Sequence, residues 1–79
     1  MIYDNRNTSI NTLALNRNGS RVVLGDKSGN IIVLDPNAGR VISRVKGHSS
    51  RVLDISYSPD NTQLASSSMD GTIKIWNAR

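Results

Sequence analysis

The sequence predicts an all-β chain made of two copies of one unit, four strands in the first copy and three in the second. Three observations carry this. Apolar and polar residues alternate along every extended segment, as in Leu13/Leu15, Ile31/Val33, Val41/Val45, Val52/Ile55/Tyr57 and Ile73/Ile75, and no amphipathic helical spacing is visible. Clusters of Gly, Asn, Asp, Ser and Pro separate those segments. The pattern also repeats after 42 residues, joining Gly29 to Gly71 and Leu13 to Ile55. The same shift sets Ile10 on Val52, Leu15 on Tyr57, Val22 on Leu64, Ile31 on Ile73 and Val33 on Ile75, core-type residues in both copies.

Taken in order, the chain opens on a stub, 1–4, which the shift lays on Ser43 to Lys46, the end of the strand expected over 40–46. Strands are expected over 9–16, 20–26, 30–35 and 40–46 in the first copy. In the second they are expected over 51–58, 63–68 and 72–77. The first repeat therefore takes in 1–46 and the second 47–79. Turn chemistry lies between the strands at Asn18-Gly19-Ser20, Asp35-Pro36-Asn37-Ala38-Gly39 and Ser58-Pro59-Asp60-Asn61. Ser28-Gly29 and Asp70-Gly71 read as two-residue hairpin turns, because glycine reaches positive φ without steric cost.

The second copy begins with Gly47-His48 and passes through an apolar strand, a Ser-Pro-Asp-Asn turn, a Ser-rich strand and an Asp-Gly turn to a strand ending in Trp76. That order resembles the WD40 repeat of β-propellers, with Asn77 where the family's closing dipeptide has Asp. A period in the low forties fits blades of that kind. The resemblance implies two four-stranded propeller blades, the second without its outer strand, in a propeller completed by other copies or by a longer chain. It also implies that the outer strand of one blade opens the next sequence repeat.

The resemblance further places His48, Ser66, Asp70 and Trp76 on the family's structural tetrad. The residue types suit a buried relay: indole N–H only donates, hydroxyl and neutral imidazole donate and accept, carboxylate only accepts. Such a chain favours folding only when complete. The first copy carries Arg6, Leu24, Ser28 and Leu34 at the corresponding positions, so its blade is expected to rely on apolar packing and ladder bonds alone. Ser, His and Asp are also the members of a nucleophilic triad. A serine inside a regular strand, with no Gly-rich segment to form an oxyanion hole, argues against catalysis, and no catalytic residue is assigned. A single histidine makes acid sensitivity of the second blade a secondary expectation.

Composition narrows the function classes. The 79 residues hold no Cys, no Glu and one His, which leaves no thiolate centre and no disulfide framework and argues against a zinc or iron centre, so no metal and no cofactor is expected. No apolar run approaches the roughly 20 residues that span a bilayer, and the N-terminus lacks the basic-then-apolar form of a signal peptide. A chain intact as given is thus expected in the cytoplasm. The net charge is +4, with Arg40, Arg44, Lys46 and Arg51 uninterrupted by an acid. A nucleic-acid surface is one reading of that cluster. Guarding an outer strand against edge-to-edge pairing is the stronger one, given so few aromatics for base stacking.

The favoured expectation is a protein-interaction scaffold. Its partner face would lie on the loops before the inner strands and in the second hairpin turns: Ser49, Ser50, Arg51 and Met69 in the second copy, Asn7, Thr8, Ser9 and Lys27 in the first. Two blades alone leave two apolar faces bare. Three or four copies closing head to tail into a ring would cover them, with Met1 to Asp4 supplying part of the strand missing beside Trp76 of the next copy. A repeat unit with no ligand beyond itself is the remaining alternative.

Overall fold

A computed structural model describes residues 2–4 and 9–78. Seven strands form two wholly antiparallel sheets among these residues. The first sheet is ordered β1 (Ile10–Leu15), β2 (Val22–Asp26), β3 (Asn30–Asp35) and β4 (Arg40–Lys46). The second is ordered β5 (Val52–Tyr57), β6 (Gln63–Ser68) and β7 (Ile73–Asn77). Each strand falls within two residues of the limits read from sequence, because β-branched and aliphatic runs alternate cleanly between turn formers.

The hairpins are built differently from the two-residue turns expected. Gly29 N–H donates to the Asp26 carbonyl and Gly71 N–H to the Ser68 carbonyl, and both glycines have positive φ. Lys27-Ser28 and Met69-Asp70 are thus the central residues, and the glycine follows them as a third loop residue in the left-handed region. This is the turn-plus-bulge loop that also matches the twist of antiparallel strands. Asn61, the one described non-glycine at positive φ, occupies the same place after Pro59-Asp60.

The two sheets pack face to face, with the inner strands β1 and β5 side by side. Val23 and Ile31 of the first sheet meet Val52, Ile55 and Leu64 of the second in one buried cluster, flanked by Ala14, Val33, Tyr57 and Trp76. Burial of such side chains contributes about 1.5–3 kcal/mol each and is the principal tie between the sheets. Polar clips reinforce it: Asn11 Nδ2 donates to the Val52 carbonyl at 2.9 Å, and the Arg17 amide donates to Asn61 Oδ1 at 3.0 Å.

Leu24, Ile32 and Leu34 form a second buried cluster on the far face of the first sheet, capped by Tyr3 and Val22. The stub makes no ladder in 2–4; Tyr3 instead lies under the Arg44 guanidinium, which is 6.0 Å from its ring centre and donates to its hydroxyl.

Candidate functional site

β5 is entered through Gly47 and His48, both buried, at the seam between the sheets. Gly47 is required there, because a Cβ would lie 2.7 Å from Ile31 and 3.1 Å from the Trp76 ring. The His48 amide donates to the Gly29 carbonyl at 3.0 Å, which fixes the ring over β6 and β7.

The structure brings His48, Ser66, Asp70 and Trp76 into one hydrogen-bonded chain. Trp76 Nε1–H donates to Ser66 Oγ at 2.8 Å, Ser66 Oγ lies 2.7 Å from His48 Nε2, and His48 Nδ1 lies 3.1 Å from Asp70 Oδ2. Since the indole only donates and the carboxylate only accepts, one tautomer satisfies every link: Ser66 O–H donates to Nε2 and Nδ1–H donates to Asp70. No buried side-chain polar atom among the described residues lacks a partner.

Residue-by-residue reasoning missed Thr72. Its hydroxyl donates to Asp70 Oδ1 at 2.6 Å and lies 3.1 Å from His48 Nδ1, and its amide donates to the same Asp70 oxygen at 2.9 Å. The Thr72 hydroxyl first, then the Thr72 and Ser49 amides and the His48 ring, hold the Asp70 carboxyl well below the usual carboxylate range, against an opposing effect of partial burial. The available signal was the Asp-Gly-Thr spacing, which puts a hydroxyl two residues past a turn aspartate.

Ser66, His48 and Asp70 have the connectivity of a nucleophilic triad. Ser66 is nevertheless only 2% exposed, and its hydroxyl is held between the Trp76 indole and the His48 ring, so the oxygen does not face a surface that a substrate could reach. Among the described residues no cluster of three or more His, Cys, Asp or Glu could hold a metal.

The first blade overturns the expectation of apolar packing and ladder bonds alone. Leu24 and Leu34 are buried as expected of their positions, while Arg6 lies outside the described residues. Asp26, however, is fully buried at the end of β2. Its Oδ1 accepts the Ser28 and Asn30 amides, each at 2.9 Å, and its Oδ2 accepts Asn30 Nδ2 at 2.9 Å. The carboxylate sits two residues before Asp70's place in the repeat, where the second blade has Ser68, so alignment position by position hides it.

The expected partner residues gather at one end of the sheets. Met69 N–H donates to the Arg51 carbonyl, and Lys27 N–H makes the equivalent bond to Ser9. Ser49, Lys27 and Met69 are exposed, while Ser50 and Arg51 are half-buried. Asn7 and Thr8 lie outside the described residues. Arg40, Arg44 and Lys46 are spread along the exposed outer strand β4, with Arg44 hydrogen-bonded to Tyr3.

A profile described as WD domain, G-beta repeat matches residues 39–77. The Gibberella zeae nuclear distribution protein PAC1 is 36% identical over 78 residues, covering 96% of this chain and 17% of the relative. The Xenopus laevis WD repeat and HMG-box DNA-binding protein 1 is 33% identical over 69 residues, covering 87% and 6%. The chain thus spans less than a fifth of the length of these relatives. Among solved structures, that of U3-55K superposes with a TM-score of 0.92 at 28% identity, covering 99% of this chain and 26% of the other. The computationally designed Ika4 protein superposes with a TM-score of 0.78 at 30% identity, covering 90% and 42%. Two antiparallel blades in the repeat's strand order, the profile match and these relatives lead to one conclusion: the chain belongs to the WD40-repeat β-propeller family.

Proposed function

We propose that this chain is a non-enzymatic protein-interaction scaffold whose working form is a closed ring of three or four copies, six or eight blades in all. The observation that carries this reading is that each sheet leaves large apolar side chains bare on the face turned away from the other sheet. Ile73 and Ile75 on the second blade and Leu13 and Leu15 on the first remain exposed, and blades of this architecture bury both faces against neighbours. In the ring, Met1 to Asp4 of one copy run beside β7 of the next, whose outer edge has no strand partner among the described residues.

On this reading His48, Ser66, Asp70 and Trp76 act as a structural tetrad that locks the second blade, with no chemistry on substrates. Ser49, Ser50, Arg51, Met69 and Lys27 form the face for a protein or peptide, since a rigid sheet end presenting Arg and Met favours contact. Multi-angle light scattering tests the ring: a single species of three or four chain masses is expected, and a monodisperse monomer with cooperative unfolding overturns it. The double variant R51A/M69A should keep that mass while losing captured protein partners; undiminished capture overturns the assignment of the face.

The small share of each relative that the chain covers favours a second reading, in which neighbouring blades of a longer polypeptide cover the same two faces. A 79-residue polypeptide that is monomeric and poorly folded by itself is the outcome that selects it.

A further inference from the structure

The joint between the two blades supplies a template for whatever covers the open faces. On the second blade it is formed by Val52, Ile55, Leu64, Trp76 and Ala78, against which Val23 and Ile31 of the first blade are seated. Moving back 42 residues turns those five acceptor residues into Ile10, Leu13, Val22, Leu34 and Pro36. These same five, with Leu24 and Tyr3, line an open apolar groove of about 350 Å³ on the free face of the first blade. Moving forward 42 residues turns the seated Val23 and Ile31 into Ala65 and Ile73. Ile31 is 5% exposed where Ile73 is 74% exposed, and Ile55 is 5% exposed where Leu13 is 55% exposed. The chain therefore carries, unfilled, both halves of a joint that it has already built once.

We propose that the occupant of the groove is the second blade of another copy of this chain, with Ile73 seated as Ile31 is seated within the chain and Ile75 following in the place of Val33. This deepens and rests on the ring reading, and it specifies a head-to-tail contact of two different faces rather than a self-complementary one. The occupant is a second copy because the groove and the residues that fit it stand on opposite faces of one polypeptide. Bulk is also exchanged between the faces: Ala65 replaces Val23 on the seated side, while Leu24 replaces Ser66 on the receiving side. Two kinds of joint alternate around the resulting ring. The joint within each chain is backed by the Trp76–Ser66–His48–Asp70 relay, and the joint between chains has Leu24 and Leu34 where Ser66 and Trp76 would be.

The test uses two variants of the full chain, I73D, which spoils the seated face, and L13D, which spoils the groove. Both side chains are exposed in the isolated chain, and circular dichroism checks that each variant folds. Sedimentation at the highest soluble concentration should find the parent chain assembled, each variant alone at the single-chain mass of 8.6 kDa, and an equimolar mixture at twice that mass. The mixture pairs because each variant keeps the face the other lacks, and the pair cannot grow. A parent chain that assembles while either variant alone keeps the parent's mass, or while the folded variants fail to pair, overturns this seating and leaves the ring intact. A monomeric parent overturns both. If I73D or L13D does not fold, I75D and L13K repeat the experiment.

Discussion

The two blades share strand order and turn geometry, yet each pins its second hairpin with a carboxylate at a different place. In the second blade Asp70, a central residue of the turn, accepts the Thr72 amide and hydroxyl and continues through His48 and Ser66 to Trp76. In the first, Asp26 at the strand end accepts the amides of Ser28 and Asn30 on one oxygen and the Asn30 side-chain N–H on the other. In either case a carboxylate accepts the amides of the turn. Whether that acceptor is extended into a relay depends on whether Ser66 and Trp76, or Leu24 and Leu34, stand behind it. A relay can be dropped as a unit; the acceptor for the turn cannot.

The largest expected effect sharpens this contrast at equivalent glycines. Gly29 and Gly71 both have positive φ, which penalises a Cβ by about 1–2 kcal/mol. A Cβ on Gly29 would also lie 2.1 Å from the His48 carbonyl oxygen, whereas one on Gly71 meets nothing within 4 Å. Adding a clash of about 1–3 kcal/mol, G29A should destabilise by about 2–5 kcal/mol and G71A by only about 1–2 kcal/mol. Urea unfolding at fixed chain concentration measures both. Equal losses would show that the loop before β5 does not hold the seam.

Next in size is S66A. It leaves the buried His48 Nε2 without its partner, at about 1–3 kcal/mol, and the half-buried Trp76 N–H as well, at about 1 kcal/mol, so a loss of about 2–4 kcal/mol is expected from the same unfolding measurement. A loss below about 0.5 kcal/mol, the range of an inert surface substitution, would remove the relay from the account of the second blade.

Most of the fold was legible because period-2 alternation and the 42-residue shift are properties of side chains in order along the chain. His48, Ser66, Asp70 and Trp76 were legible as a set for the same reason, with the family resemblance supplying the connectivity. Asp26 was not, since its role depends on depth and on a displacement of two residues that column-wise comparison reads as mere difference. Thr72 escaped because a hydroxyl beside a turn aspartate looks like ordinary turn chemistry until the imidazole is placed 3.1 Å away. The three-residue hairpins escaped because Ser-Gly and Asp-Gly fit either loop length; the bond that the glycine N–H donates to the Asp26 or Ser68 carbonyl decides which.

The carboxylate's displacement can itself be reversed. D26S gives the first blade the residue that Ser68 provides in the second and removes charge-assisted bonds to two turn amides, for an expected loss of about 1.5–3 kcal/mol. Adding S28D restores a carboxylate at the position equivalent to Asp70, within reach of the Asn30 amide, and should recover part of that loss in urea unfolding. No recovery would mean that the two pins are not interchangeable and that the blades differ by more than the position of one acceptor.

The smallest effect concerns acid. Asp60 is lowered from 3.8 to about 2, first by the Ser58 hydroxyl and then by the Thr62 hydroxyl and amide, and Asp70 is lowered first by the Thr72 hydroxyl. A carboxyl whose value is lower folded than unfolded contributes stability that is complete above its unfolded value and disappears as pH falls through its folded one. Both groups lie in the second blade, so stability should fall as pH drops from about 4 toward 2. T72V keeps the shape of residue 72 and removes the hydroxyl, which raises the folded Asp70 value toward its unfolded one. The stability of T72V should therefore be lower near neutrality and should fall less steeply through that acid window than the parent's, as read by unfolding midpoints at successive pH. A slope equal to the parent's would mean that the hydroxyl is not what holds Asp70 ionised, and the amides of Thr72 and Ser49 would take its place as the anchor of the relay.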